Sequence, residues 1–215
     1  MRSPNSAEDR DGAGRLAQVL AEARACRVCA AALPHAPRPV LRAQVTARIL
    51  LVGQAPGTRV HESGLPFDDR SGDRLRDWLG VDRATFYDER RIAIVPMGLC
   101  FPGQDDKGAD LPPRRECGPL WQPRVRAALP DIQLTLLIGA YAQRFHLGRH
   151  LGRTPAGPRA KASLTETVKA FRDYLPTHFV LPHPSWRNIA WLRRNPWFES
   201  DLLPCLRRRI SELTG

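Results

Sequence analysis

The sequence predicts a single three-layer α/β domain: a central, four-stranded, mostly parallel sheet flanked by helices. Three observations predict it. Four short apolar runs, at residues 48–53, 91–96, 134–139 and 178–182, each end on a glycine or a proline. They are continuous rather than alternating, as expected of strands buried on both faces. Helix-like stretches separate them, and strands alternating with helices favour a parallel sheet covered on both sides. At 215 residues the chain can bury one proper core but not two large ones.

The elements follow in order. Residues 1–13 read as a disordered lead and 14–215 as the domain. Apolar positions at helical spacing over 14–25 predict a helix running into Cys26. Three prolines mark 30–46 as an irregular connector, after which comes the first strand. Helices are expected over 72–79, 118–129, 140–147 and 163–175, the last opened by a capping box of Ser163 and Glu166. Residues 148–162 are a basic, Gly/Pro-rich stretch read as a mobile loop. An amphipathic helix over 197–213 closes the chain, with no internal repeat and no second domain.

Composition narrows the function. Hydrophobic residues make up 42% and charged residues 26%, the balance of a globular chain rather than a disordered one. No apolar run approaches the ~20 residues that span a bilayer. The first dozen residues have no signal-peptide core, so a cytosolic protein is expected. A net charge of +11, mostly arginine and spread along the chain, favours a polyanionic partner, although a GC-rich genome also enriches arginine.

Cys26 and Cys29 form a C-x2-C pair, and Cys100 and Cys117 follow in the middle of the chain. A close pair and two remote thiols can converge on one centre, and thiolates suit zinc or an iron–sulfur cluster. A reducing compartment favours ligation over disulfides. The spacing alone leaves zinc, an iron–sulfur cluster and ordinary buried thiols open. Cys205, among Leu202, Leu203 and Leu206, reads as a buried thiol.

Ligands of open parallel sheets bind beyond the carboxyl ends of the strands, and three such segments are chemically unusual here. The first is Gly53-Gln54-Ala55-Pro56-Gly57, running on to Pro66-Phe67-Asp68-Asp69. Its backbone N–H groups can face a ligand, Gln54 can pair with a base edge, and Phe67 can serve as a stacking platform or a core residue. The second carries Cys100 and Cys117 together with Arg114 and Arg115, which are candidate phosphate contacts or solvated loop charges. The third is Pro182-His183-Pro184-Ser185-Trp186-Arg187. A histidine between prolines has few backbone options, and its imidazole can donate to a developing anion.

Together these residues resemble the uracil-DNA glycosylase superfamily, most closely its iron–sulfur-containing bacterial and archaeal branch, over about residues 14–200. Gly53-Gln54-Ala55-Pro56-Gly57 matches the first active-site motif, with Pro66-Phe67 at the expected distance, and His183-Pro184-Ser185 matches the second. The four cysteines follow the branch's order and approximate spacing. The resemblance implies a monofunctional glycosylase that flips uracil, or another deaminated base, out of DNA and hydrolyses its N-glycosidic bond to begin base excision repair. It implies that Gly53, Gln54 and Ala55 hold the base, Phe67 stacks on it and His183 donates to its O2. Pro184 and Ser185 support the DNA backbone, and Arg187, beside Trp186, enters the duplex gap. Cys26, Cys29, Cys100 and Cys117 would carry a structural [4Fe–4S] cluster, preferred over zinc. A monomer acting at the nucleoid, with no membrane partner, is expected.

The chain departs from the pattern in three places. Where some relatives have a water-positioning aspartate, this chain has Ala55, and Glu62 is the first substitute, ahead of His61 and Asp68. Where the branch has a uracil-reading asparagine, this chain has Pro96, which leaves hypoxanthine or xanthine open as substrates. The wedge position, usually leucine, is Arg187. A relative that binds DNA without catalysis is the rival reading, motivated by Ala55. The motifs contain no lysine for a Schiff base, and no histidine lies between His61 and His146 to form a covalent DNA adduct.

Overall fold

Four strands, Ile49–Val52 (β1), Ile92–Ile94 (β2), Leu134–Ile138 (β3) and His178–Leu181 (β4), form one parallel sheet in the order β2-β1-β3-β4. Ile49 pairs with Ile92 on one side and Leu134 on the other, and Thr135 pairs with His178. The structure is a computed structural model that describes residues 7–150 and 162–215. Every residue of β1, β2 and β3 is buried, because helices cover both faces of the sheet. The strands agree with the four apolar runs to within a residue or two. The outer edge of β2 is not bare: Arg42 of the connector exchanges both backbone hydrogen bonds with Ile94, at 2.9 and 2.7 Å.

The helices are Ala7–Arg24 (α1), Thr58–Ser63 (α2), Arg70–Leu79 (α3), Arg83–Phe86 (α4), Cys117–Ala127 (α5), Ala140–His150 (α6), Leu164–Lys169 (α7), Ile189–Arg194 (α8) and Leu203–Thr214 (α9). Helix α1 packs on α5, α3 on α9, and α6 on β3. The caps follow the sequence chemistry. Asp69 accepts from Gly72 N at 2.8 Å to open α3, Asp82 caps α4, and Ser163 with Glu166 forms the expected box at α7.

Some boundaries differ from expectation. Helix α1 begins at Ala7, seven residues before the helix read from periodicity, and takes in half of the supposed lead. The stretch 163–175 divides into α7 and a 3-10 turn at Phe171–Tyr174, with Leu175 held extended before Pro176. The tail divides too: a widened π-type turn, Phe198–Leu202, precedes α9, where Pro204 lacks the N–H that would continue a helix from upstream. Residues 1–6 of the lead and most of the loop read over 148–162 lie outside the described residues.

Candidate active site

The chain leaves β1 through Gly53, and the first motif continues the sheet's hydrogen bonding. Met97 N donates to Gly53 O at 3.0 Å and Gly98 N to Gln54 O at 2.8 Å. Gln54 and Ala55 are half-buried at this edge. After α2 the chain turns back so that the Phe67 ring covers Gly53, with Cζ only 3.0 Å from where a side chain at position 53 would begin. Phe67 holds this place in the left-handed region, φ 57°, which is costly for a bulky residue. Its neighbours hold it there. Arg76 donates to Phe67 O at 3.4 Å, Tyr87 donates to Pro66 O at 3.0 Å, and Phe86 meets the ring edge-on.

His183 follows β4 on a loop braced from three directions. Asn188 Nδ2 donates to His183 O at 2.6 Å, and Arg74 of α3 donates to Pro184 O and Ser185 O, both at 3.1 Å. Beneath the loop, Gln143, only 4% exposed, donates to Leu137 O and Leu181 O and so ties the ends of β3 and β4 together. Gly139 lies under the histidine, its missing side chain 3.6 Å from His183 Cβ. Burial pushes the His183 imidazole below its usual pKa, while the charges of Asp69 and Asp110 pull it back up. The imidazole is therefore neutral at neutral pH and keeps an N–H to donate. Trp186 projects from the same loop, 71% exposed, with the Arg187 guanidinium 5.6 Å from its ring centre.

The sequence-derived candidates fall into two groups. Gly53, Gln54, Ala55, Phe67, His183 and Ser185 lie beyond the carboxyl ends of β1 and β4, at one end of the parallel sheet. Glu62 lies exposed on α2, its carbonyl held by Arg38, and Asp68 is paired with Arg83 at 2.9 Å. His61 packs against His35 and Phe101, and burial lowers its pKa. Sequence reasoning missed Arg74, Gln143, Asn188 and Asp110. Asn188 directly follows the Pro182–Arg187 segment, but the others carry no local signal and gain their places only through the fold.

A family model described as the uracil DNA glycosylase superfamily matches residues 42–207, which contain both motif loops. The chain belongs to the uracil DNA glycosylase superfamily. Membership points to a DNA glycosylase and so to DNA as its partner, in keeping with the net charge of +11. Among the described residues no helix is long and apolar enough to cross a membrane.

In this superfamily member the four thiols named from sequence all line one cleft of about 360 Å³, counting its open mouth, together with Leu33, Pro37, Leu99, Arg114 and Trp121. The cleft joins the end of α1 to the loop after β2 and the start of α5. Among the described residues no group of His, Cys, Asp or Glu side chains closes around a metal ion. Burial raises Cys29, helped by the Glu116 carboxylate, and raises Cys100, helped by the neighbouring Cys26 and Cys29, while burial pushes Cys117 up to about 12. Trp121 Nε1 and Arg114 Nε, on side chains that line the cleft, are buried without a hydrogen-bond partner, while Leu99 N donates to Cys117 Sγ at 3.2 Å. Cys205 is half-buried against the core, apart from this group.

Proposed function

We propose that this chain is a monofunctional uracil-DNA glycosylase that initiates base excision repair. The observation that carries the reading is the braced His183 loop after β4, tied by Arg74 of α3 to the chain that runs on from Phe67, at the same end of the sheet as the first motif. A flipped uracil would lie on the Phe67 ring, with Gln54 and the Ala55 backbone at its edge. As the glycosidic bond lengthens, negative charge gathers on the base, and the His183 N–H donates to O2. A donor fixed in advance costs no reorganisation at that moment. Ser185 and Pro184 support the DNA backbone, while exposed Trp186 and Arg187 face the gap that the flipped nucleotide leaves.

Cys26, Cys29, Cys100 and Cys117 would hold a [4Fe–4S] cluster in a structural role. The donor set of one cleft supports this, as do the unpartnered Trp121 and Arg114 donors, which suit sulfur acceptors. Four thiolates suit zinc as well as a cluster, and the cluster is preferred here on the resemblance of the cysteine order and spacing to the iron–sulfur branch. When bound, such a group braces the loop after β2 against the end of α1.

A second reading, excision of hypoxanthine or xanthine, rests on Pro96. That residue is buried and its carbonyl accepts from Gln122 at 2.9 Å, so it offers no side-chain donor to a uracil edge. Incubating the protein with oligonucleotides that each carry uracil, hypoxanthine or xanthine, followed by alkali, tests both readings. Cutting at uracil above the others supports the first, cutting at hypoxanthine or xanthine alone supports the second, and silence on all three overturns both.

A further inference from the structure

Hydrolysis of a glycosidic bond needs a group to orient a water and take its proton, and Ala55 supplies none. On the glycosylase reading above, we propose that Asp110 is this catalytic base, delivered by the hairpin between Gly103 and Leu111 rather than by the first motif.

The hairpin is a built element. Leu111 N donates to Gly103 O at 2.9 Å, and Gln104 bridges Asp110 in antiparallel fashion. At the tip, Asp105 Oδ1 accepts from Lys107 N at 2.9 Å and Ala109 N at 2.8 Å, and Gly108 takes a positive φ of 70°. This stem fixes where Asp110 stands. Gln104 Nε2 donates to Asp110 Oδ1 at 3.1 Å and so orients the carboxylate. Its other oxygen, Oδ2, lies against Gly57, 3.2 Å from where a side chain there would begin. The carboxylate thus sits over the last residue of the first motif, with one oxygen held and the other turned to the loop.

Three further observations single out this residue. Its charge acts on His183, the donor to the leaving base. Asp69 acts on His183 more strongly, but its carboxylate caps α3, whereas that of Asp110 stands exposed over Gly57 of the first motif; the charge of Glu62 has no such link to His183. The small side chain at position 55 also has a structural reason. The bare face of Gly98 looks at Ala55 Cβ and at Pro113, which stand 3.2 and 2.9 Å from where its own Cβ would be. The chain returning from the hairpin is therefore packed close against the motif, and a longer residue at 55 would push it away. Ala55 lets the hairpin close, and the hairpin brings the carboxylate.

The step balances. The N-glycosidic bond breaks with its electron pair leaving on the base, a water oxygen bonds to C1′, and the water's proton passes to Asp110. That proton is then released to solvent or to the departing base, giving an abasic site and the free base.

The test is single-turnover excision of uracil by the wild type, Asp110→Asn and Gln104→Ala. Affinity for duplex carrying a tetrahydrofuran abasic analogue and the melting temperature are measured alongside. Asp110→Asn is expected to lose about 100-fold or more in rate, the scale of a general base, with abasic-DNA affinity equal or tighter and melting unchanged. Gln104→Ala, which only frees the carboxylate, is expected to lose about tenfold in rate, with no loss of affinity. Asp110→Asn within about threefold of an active wild type would overturn the role of Asp110 and leave the glycosylase reading standing. A rate loss matched by lost affinity or lower melting would overturn it equally, as the mark of a structural residue. A wild type silent on every deaminated base would overturn the glycosylase reading, and this inference with it.

Discussion

Gly72 has no room for a side chain, because the Phe67 carbonyl oxygen stands 1.8 Å from where its Cβ would be. The same Gly72 donates its N–H to Asp69 and opens α3. One glycine thus closes the turn that puts Phe67 at a positive φ and lays its ring on Gly53. Gly72→Ala must move Phe67 or unwind the first turn of α3. It should cost about 2–3 kcal/mol, as overpacking does, and lower activity more than binding to undamaged DNA. Denaturant melts and rates for this variant check both halves.

The sheet was legible in the sequence because each strand is a run of consecutive apolar residues ended by glycine or proline. Both motif loops were legible because they follow strand ends directly. Arg74 and Asp110 were not, since each reaches the site from a separate element, and nothing local marks an arginine in α3 or an aspartate in a hairpin as special. Helix α1 began earlier than expected because polar residues carry no periodic apolar signal, although they form helix readily when the following turns are packed. The break at Leu203 was visible in principle, since Pro204 stands within the amphipathic tail.

The His183 loop should depend on its side-chain braces. Asn188→Ala removes the 2.6 Å bond to His183 O without touching the imidazole. We expect kcat to fall about tenfold with little change in KM, since misplacing a reacting group costs rate before it costs binding. Arg74→Ala should do the same through Pro184 and Ser185. Steady-state kinetics on one uracil oligonucleotide compares them.

The lowered pKa of His183 sets the sign of two pH effects. The neutral imidazole is the donor, so excision should hold level from about pH 6.5 to 8 and decline only on further acidification. Stability follows the same sense. A histidine whose folded pKa lies below its unfolded value takes up protons more readily when unfolded, so stability is full above the ordinary value of 6.5 and is lost as pH falls from there toward the folded pKa. His183→Asn should flatten that part of the melting-temperature profile, and an unchanged slope would assign it to other groups.

The cysteine cleft makes a prediction independent of activity. Protein purified without oxygen should be brown, with broad absorbance from sulfur-to-iron charge transfer, and Cys117→Ser should lose most of the colour. Its melting temperature should drop by about 5 °C or more, the scale of a 2 kcal/mol loss in a domain of this size. A colourless wild type containing zinc would reverse the choice of metal.

The most direct measurement is alkali-dependent cutting of a labelled oligonucleotide carrying one uracil, by the wild type and by His183→Ala, with affinity for abasic-analogue duplex measured on both. We expect the wild type to cut, and the variant to cut about 100-fold or more slowly at similar affinity, as when a transition-state donor is removed. A variant that cuts as fast as the wild type would contradict the role of His183, and a wild type that leaves uracil intact would contradict the substrate.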